Sequence, residues 1–443
     1  MNALLTDLYQ LTMAAGYFEA GKTRDIAAFE LSVRRLPPNR NFLLAAGLEQ
    51  AVEYLTNLRF AGEEIEYLRG LPQFARASPA FFQALAGLRF TGDVHAVAEG
   101  TTVFANEPLL RVRAPLIEAQ IAETYLLATI GFQTLIATKA ARMVETAGGR
   151  AVVEFGTRRA HSPEAGVLAG RAAYIGGCIG TSNVLAGYRY GIPVFGTAAH
   201  SWVQSFPTEA EAFQRLQRLL GESTIYLIDT YDTLEGARQA ARLGRPMWGV
   251  RLDSGNLTAL SREVRKILDQ AGLHDAKIMA TGDLNEYKIL ELCAARVPID
   301  SFGVGTDLAT SADAPKLGAI YKLVELETAG EKRYTAKFST DKTTMPGAKQ
   351  VFRHPGRDEI ALENETRPAE AQPLLQPVLC GGELVGPLPD VHAARRRAHE
   401  SIEKLPKPMR SLFEAKDPYP VAYSRALLEL FESVRQNGIR SPE

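Results

Sequence analysis

The chain has 443 residues, of which 46% are hydrophobic and 23% are charged, and its formal net charge is −1. This composition is typical of a soluble globular protein, and the length exceeds that of one ordinary domain. A net charge so close to zero gives no bulk attraction to nucleic acid or to an anionic membrane. No apolar run approaches the ~18 residues that a transmembrane helix needs, so we expect none.

The cysteines and the first residues bear on the compartment. Cys178, Cys293 and Cys380 are far apart in the chain, which argues against a disulfide framework or a zinc knuckle. The stretch around Asp7 lacks a basic n-region, so we do not expect a secretory signal. Both observations predict a cytoplasmic protein.

The first third of the chain mixes helical and extended patterns. Apolar spacing predicts a helix or turn over residues 3–20, in which Tyr9 reads by spacing alone as a packing aromatic. A strand is predicted over Ile26–Val33 and a helix over 46–58. Short extended runs follow over 90–112, and the longest helical pattern spans 118–147. We place the start of the second domain near that helix.

A repeating unit follows, in which candidate strands alternate with helical patterns, for example Glu209–Leu220, Thr233–Leu243 and Asn285–Ala295. The candidate strands are Ala151–Phe155, Tyr174–Ile179, Pro193–Phe195, Thr224–Ile228, Met247–Val250, Lys277–Ala280 and Ser301–Val304. Such alternation predicts βαβ units and a parallel sheet. A closed barrel is favoured over an open doubly wound sheet, because polar residues follow nearly every strand. After residue 317 the repeat gives way to a β pattern. We therefore predict a discontinuous domain over 1–117 and 318–443 and a barrel over 118–317.

The polar residues that follow the strands are the candidate site. They are Gly156-Thr157-Arg158, Gly180-Thr181-Ser182-Asn183, Gly196-Thr197 with His200, Asp229 with Asp232, Arg251 with Asp253, Gly282-Asp283, and Gly305-Thr306-Asp307. On a barrel, all of them lie at the carboxyl ends of the strands, where barrel active sites are found.

Several of these residue types suit a phosphorylated, polyhydroxylated substrate. The glycine turns at 282–283 and 305–306 follow late strands, where barrels often bind phosphate through exposed backbone N–H groups. Asp229 and Asp253 could accept sugar hydroxyls or hold a hydrated magnesium ion. For Arg251 and Asp253 taken alone, a salt bridge at a strand end is an equally good interpretation.

His200 has several possible roles. Its place just past a strand favours a general base or a nucleophile over a core histidine. The chain contains no G-x-S-x-G motif, which argues against a serine hydrolase. No second His or Cys lies nearby in sequence, so metal ligation is not favoured.

Six motifs, in the same order along the chain, resemble those of the nicotinate phosphoribosyltransferases over nearly the full length. They are Leu4-Leu5-Thr6-Asp7-Leu8-Tyr9-Gln10-Leu11-Thr12, Glu154-Phe155-Gly156-Thr157-Arg158-Arg159, Gly196-Thr197-Ala198-Ala199-His200-Ser201, Val250-Arg251-Leu252-Asp253-Ser254-Gly255-Asn256, Phe302-Gly303-Val304-Gly305-Thr306, and Pro346-Gly347-Ala348-Lys349-Gln350-Val351.

This resemblance implies an activity and a fold. Members of the family join nicotinate to 5-phosphoribosyl 1-diphosphate, giving nicotinate mononucleotide and diphosphate, the first step of NAD salvage from nicotinate. The reaction uses ATP, is classed with the ligases, and passes through a phosphohistidine, here His200. The implied fold is an irregular, incomplete α/β barrel of the type II phosphoribosyltransferases, with a second α/β domain built from both chain ends.

The resemblance also implies roles for residues. The pyridine ring would lie between Phe155 and Tyr9 of the other subunit of a homodimer, which reverses the packing role given to Tyr9 above. The remaining implied contacts are Arg158, Thr197 and Arg251 at the nicotinate end, Asp253 and Asp229 at the ribose or Mg²⁺, and Gly282, Asp283, Gly305 and Thr306 at the 5-phosphate.

Ser182 bears on the choice of ring. The related enzymes that use nicotinamide carry an aspartate at the matching place, and an aspartate facing nicotinate would be a like-charge contact. A neutral serine therefore favours the acid over the amide. Two alternatives stay open: a sibling transferase for nicotinamide or quinolinate, and a catalytically silent barrel that binds a phosphosugar.

Overall fold

The computed structural model describes residues 3–339, 342–366 and 370–439. They form two compact units, one from residues 1–135 together with 316–443 and the other from residues 136–315. The predicted α/β fold with a second domain built from both chain ends is confirmed. The boundary between the two units lies inside the helix Glu123–Thr146, which runs unbroken past residue 135.

The unit of residues 136–315 is built on one parallel sheet of six strands. In spatial order these are Gly180–Thr181, Ala151–Glu154, Ser301–Val304, Lys277–Ala280, Gly249–Leu252 and Ile225–Leu227. A single parallel bridge between Thr181 and Val194 extends one edge. Within the described ranges no strand pairing joins the two edges, so the sheet forms an incomplete barrel.

Helices follow the strands of this sheet. They are Pro163–Ile175, Val184–Tyr190, His200–Gln204, Glu209–Leu220, Thr233–Leu243, Leu257–Gln270, Glu286–Ala294 and Thr306–Ala309. Six of them begin at a polar side chain that accepts a hydrogen bond from a first-turn N–H, namely Ser162, Asn183, Thr208, Asp232, Asn256 and Asn285. Such caps satisfy N–H groups that lack intrahelical partners. The helices predicted at 209–220 and 233–243 are confirmed at both ends.

One predicted strand of the barrel is wrong. Tyr174 and Ile175 belong to the helix Pro163–Ile175, and the strand is the shorter Gly180–Thr181. This helix is buried along most of its length, so its apolar run has no polar face to reveal a helical period. The run Pro193–Phe195 is likewise reduced to the bridge at Val194.

The other unit is built mostly on antiparallel strands, and only Val421–Tyr423 pairs in parallel among its described strands. Its largest sheet holds, in spatial order, Glu331–Tyr334, Ala319–Thr328, Ile26–Val33, Pro108–Pro115, Asp93–Val97, Leu375–Cys380 and Glu383–Leu384. A smaller sheet holds Gln372–Pro373, Lys349–His354, Arg357–Leu362 and Val421–Tyr423, and Leu43–Leu44 pairs with Thr102–Val103. Its helices are Leu8–Glu19, Leu48–Thr56, Gly62–Arg69, Pro79–Gly87, Leu116–Ile121, Val391–Glu403 and Arg425–Ile439.

In this unit the main-chain pairing explains why the first and last thirds of the chain fold together. The strand Ile26–Val33 is flanked by Pro108–Pro115 on one side and Ala319–Thr328 on the other. Its central position buries Leu31 and Val33 completely. No helix in the described parts of the chain combines the length and the apolar character that crossing a bilayer requires.

Lys349, from the last of the six motifs, has a structural position in this unit. Its buried ammonium Nζ lies 2.8 Å from Glu30 Oε2 and donates to the carbonyl oxygens of Met345 (2.9 Å) and Gly347 (2.7 Å). The Lys349 N–H donates to Glu30 Oε1 at 2.7 Å. The lysine thus closes the turn of residues 345–347 against the central strand.

We expect Lys349→Met to lower the free energy of unfolding by about 3 kcal/mol, because it leaves the Glu30 carboxylate buried without its cation. Urea denaturation of the purified protein measures this change. Lys332→Met is the matched control: Lys332 is half-exposed, and its partner Glu325 keeps Arg113 at 2.6 Å. If Lys349→Met lowered the free energy of unfolding no more than Lys332→Met, the ion pair of Lys349 with Glu30 would not be stabilising.

Candidate active site

A single arginine joins the ends of three barrel segments. Arg251, on the strand Gly249–Leu252, donates from Nη1 to Thr197 Oγ1 at 2.7 Å and from Nε to Thr281 Oγ1 at 2.8 Å. Its Nη2 lies 2.6 Å from Asp253 Oδ1. These contacts use three of the five N–H groups of a guanidinium. Arg251 is thereby held in one orientation at the carboxyl end of the sheet.

Thr281 is the pivot of this arrangement. Its buried hydroxyl accepts from Arg251 and forms a short hydrogen bond with Asp253 Oδ1. One hydroxyl can accept and donate at once, so Thr281 aligns the cation and the carboxylate together.

Asp253 is ionised in this setting. Burial opposes ionisation of its carboxyl, but the hydrogen bond from Thr281 and the charge of Arg251 outweigh burial and lower the pKa of Asp253 below its ordinary value. The site therefore keeps a paired cation and anion at neutral pH.

His200 lies beside this pair, at the start of the short helix His200–Gln204. Its Nδ1 is 3.2 Å from Thr230 Oγ1, and its Nε2 is 3.7 Å from Asp253 Oδ2. The ring is partly exposed, with 41% of the side chain accessible. A ring with Nδ1 held by a hydroxyl presents Nε2 for chemistry.

Asp229 connects a neighbouring strand end to the same loop. Its Oδ2 accepts from the Asp253 N–H at 3.0 Å and from Ser254 Oγ at 2.5 Å. Its Oδ1 is buried and makes no hydrogen bond to any described residue. A buried carboxylate oxygen in that state is a natural acceptor for a ligand hydroxyl, a water or a cation.

Phe155 and Ser182 lie at the ends of two adjacent strands and are linked by Glu154. Phe155 N–H donates to Val304 O at 2.7 Å, and its ring faces Gly303, where an added Cβ would lie 2.6 Å from the ring. Ser182 N–H donates to Glu154 O at 2.8 Å. The buried Glu154 carboxylate accepts from Thr181 Oγ1 at 2.5 Å and from the Gly156 N–H.

One of the two predicted phosphate loops has a backbone that requires its glycine. Gly282 has φ +92° and Asp283 has φ +47°, and a Cβ on Gly282 would lie 2.0 Å from Asp253 O. Gly305 precedes the short helix that begins at Thr306. Close approach of the backbone at Gly282 brings this loop directly against Asp253.

The structure brings together only part of the predicted site by direct contact. His200, Thr197, Asp229, Arg251 and Asp253 form one connected set. Phe155, Ser182, Gly282, Asp283, Gly305 and Thr306 lie at ends of the same sheet. Arg158 is exposed in the turn Thr157–Arg159. Tyr9 lies on the helix Leu8–Glu19 of the other unit, with 48% of the residue exposed.

Sequence reasoning missed three residues of this site and a neighbouring lysine. Thr281 and Thr230 are hydroxyls that directly precede or follow residues already singled out. Glu154 was quoted only within a motif. Lys139 lies in a largely apolar stretch of the helix Glu123–Thr146, and a cation at that place was the available signal.

Comparison with known proteins matches the chain to three parts of one family. The profile of the nicotinate phosphoribosyltransferase N-terminal domain matches residues 4–131, the family profile matches residues 151–349, and the profile of the C-terminal domain matches residues 338–431.

Individual relatives agree with these matches. The chain is 46% identical over 436 residues to nicotinate phosphoribosyltransferase pncB2 of Mycobacterium tuberculosis, covering 96% of this chain and 92% of that protein. It is 45% identical over 379 residues to the nicotinate phosphoribosyltransferase of Bacillus subtilis, covering 82% and 76%. The crystal structure of human nicotinic acid phosphoribosyltransferase superposes with a TM-score of 0.85 at 31% identity, covering 97% of this chain and 99% of that one.

Proposed function

Because the chain belongs to the nicotinate phosphoribosyltransferase family, we propose that it joins nicotinate to 5-phosphoribosyl 1-diphosphate and couples this transfer to ATP hydrolysis through phospho-His200. The products are nicotinate mononucleotide and diphosphate, and the reaction is the first step of NAD salvage from nicotinate. The observation that carries the proposal is the connected set of Arg251, Asp253, Thr281 and His200.

The transfer step needs an anchored ring and an open anomeric carbon. The pyridine nitrogen forms a bond to ribose C1 as the C1–O bond breaks, and diphosphate leaves with that electron pair. Two N–H groups of Arg251 remain after its contacts to described residues, and they can bind the nicotinate carboxylate. Each such charge-assisted hydrogen bond contributes roughly 1.5–3 kcal/mol.

The ribose and diphosphate fit the acidic side of the site. Asp253 is ionised and Asp229 has an unused buried oxygen, so both can accept ribose hydroxyls or water bound to Mg²⁺. Among the described residues no group of three or more His, Cys, Asp or Glu side chains forms a metal cage. The two carboxylates of Asp229 and Asp253 fit a magnesium ion held mainly by substrate phosphates and water. Bound Mg²⁺ would neutralise charge on the departing diphosphate.

The ATP step uses the free nitrogen of His200. With the Nδ1–H of His200 donating a hydrogen bond to Thr230 Oγ1, the lone pair on Nε2 attacks the γ-phosphorus and ADP leaves with the electrons of the broken bond. Water later hydrolyses the phosphohistidine to phosphate and restores the imidazole. The partly exposed ring gives Nε2 access to a nucleotide.

A homodimer in which Tyr9 reaches the partner's site is part of the proposal. Its support is an exposed apolar surface around the start of the first helix, formed by Leu5, Leu8, Tyr9 and Met13. Exposed apolar surface of this kind is common at subunit interfaces. Barrel residues Val184, Leu185 and Tyr188 form a second exposed surface of the same character.

A cytoplasmic location is proposed as well. Cys293 and Cys380 are free thiols, and Cys380 is exposed. Free, exposed thiols persist in a reducing compartment.

Ser182→Asp is expected to lower kcat/KM for nicotinate by about 10²-fold, because the new carboxylate faces the substrate carboxylate. The value for nicotinamide should fall much less or rise. Ser182→Asn is the matched control, since asparagine has nearly the same shape as aspartate but carries no charge. Equal losses on both rings in Ser182→Asp would show that Ser182 does not face the ring substituent.

The ATP coupling is tested with ATP labelled at the γ-phosphate. We expect label on the protein that is stable to base and labile to acid, and that is discharged faster when nicotinate and 5-phosphoribosyl 1-diphosphate are added together. Absence of label from a preparation that forms nicotinate mononucleotide would show that no phosphohistidine forms. The proposed transferase activity would not be affected by that result.

A further inference from the structure

A buried lysine lies behind the two predicted phosphate loops. Lys139, on the helix Glu123–Thr146, has only 1% of its side chain exposed. Its Nζ lies 2.6 Å from Glu286 Oε2, 2.6 Å from Asp307 Oδ1 and 2.8 Å from Asp313 Oδ1. The ammonium thus forms three ion pairs, and it also donates a hydrogen bond to Asp313 Oδ1.

The three carboxylates belong to the segments that follow the last two strands. Glu286 is fully buried and begins the helix that follows the Gly282-Asp283 loop, and its other oxygen lies 3.1 Å from Arg142 Nε. Asp307 directly follows Thr306, and Asp313 lies a few residues further along. One ammonium therefore ties both loops to the same helix.

The charge on Asp307 gives this contact a consequence for substrate binding. A carboxylate next to Thr306 repels a phosphate at that loop, and repulsion is strong where water is excluded. The ion pair with Lys139 neutralises it. Burial opposes a charged Lys139, but Glu286, Asp307 and Asp313 together raise the pKa of Lys139 above its ordinary value.

Stability alone does not explain a lysine at this place. Replacing a buried ionic cluster by apolar side chains of similar volume is often neutral or stabilising. Because apolar packing could serve stability equally well, the ionic contacts point to a role that packing cannot supply, such as fixing two loops relative to each other.

We propose that Lys139 is a positioning residue for the 5-phosphate of the phosphoribosyl substrate, acting by joining the two phosphate loops and neutralising Asp307. The inference rests on the proposed function, since it assumes that these loops bind that phosphate. Lys139 itself does not touch the substrate in this account.

The test is steady-state kinetics of Lys139→Met, together with calorimetric binding of 5-phosphoribosyl 1-diphosphate alone. We expect KM and Kd for this substrate to rise at least tenfold, while KM for nicotinate and kcat change less than threefold. Lys139→Arg should recover part of the affinity. Lys139→Met combined with Asp307→Asn should recover more, because it removes the unpaired charge.

The outcomes separate this inference from the proposed function. Wild-type KM for 5-phosphoribosyl 1-diphosphate in folded Lys139→Met would overturn the inference, as would a loss of kcat alone that follows the folded fraction. No recovery in the double variant would overturn the neutralising role. Failure of the wild-type protein to bind the substrate would instead overturn the proposed function.

A milder variant covers the case in which Lys139→Met does not fold. Asp313 is partly exposed and supplies only one of the three contacts, so Asp313→Asn leaves Lys139 buried and paired. We expect it to raise Kd for 5-phosphoribosyl 1-diphosphate about threefold through looser anchoring. An unchanged Kd in Asp313→Asn, with no folded Lys139→Met to measure, would count against the inference.

Discussion

Replacing His200 by alanine is expected to lower ATP hydrolysis by about 10⁴-fold or more, since losses of this size follow removal of a nucleophile. Stimulation of the transferase by ATP should disappear as well. A weak, ATP-independent transferase should remain, because Arg251 and Asp253 keep their contacts to Thr281 without the histidine. Parallel assays of ADP and nicotinate mononucleotide measure both effects on one preparation.

Two further variants sharpen this experiment. His274→Ala is the control: His274 is exposed and precedes the strand Lys277–Ala280, at the opposite end from the site. It should behave as the wild type. Thr230→Val keeps the nucleophile but removes the partner of Nδ1, so ATP hydrolysis should fall about 10–100-fold through loss of the favoured tautomer. ATP stimulation that survives in His200→Ala would exclude the phosphohistidine.

Replacing Arg251 by methionine is expected to lower kcat/KM for nicotinate by about 10³-fold. The change removes the proposed partner of the substrate carboxylate and also leaves Asp253 without its cation. The loss for nicotinamide should be smaller, because an amide has no charge to bind. The difference between the two rings isolates the carboxylate contact from the general disturbance of the site.

Arg251→Lys tests the geometry of that contact. A lysine restores the charge but lacks the planar fork that reaches Thr197, Thr281 and Asp253 together. We expect it to recover less than a tenth of the lost activity. Arg238→Met, an exposed change on the helix Thr233–Leu243, should have no effect. Equal losses of kcat/KM for nicotinate and nicotinamide in Arg251→Met would show that Arg251 does not bind the substrate carboxylate.

Regular elements and the ends of strands were predictable because their signals are local. Periodicity located the helices at 209–220 and 233–243, and polar residues after apolar runs located Arg251, Asp253 and Asp229. The strand over Tyr174–Ile179 failed because a helix buried on all sides has no polar face.

Contacts between distant segments were not predictable from residue patterns. Thr281 matters because it meets both Arg251 and Asp253 across a strand pair, and a threonine after a strand carries no local mark of that role. Lys139 meets three carboxylates that lie more than a hundred residues away in the chain. The proposed roles of Tyr9 and Phe155 came from family resemblance rather than from spacing.

The most direct test of the account is diphosphate release from 5-phosphoribosyl 1-diphosphate with nicotinate, nicotinamide or quinolinate, each measured with and without ATP. We predict diphosphate release with nicotinate but not with nicotinamide or quinolinate. We also predict that ATP increases the release with nicotinate. Release with nicotinamide or quinolinate in preference to nicotinate, or no release with any of the three rings, would contradict it.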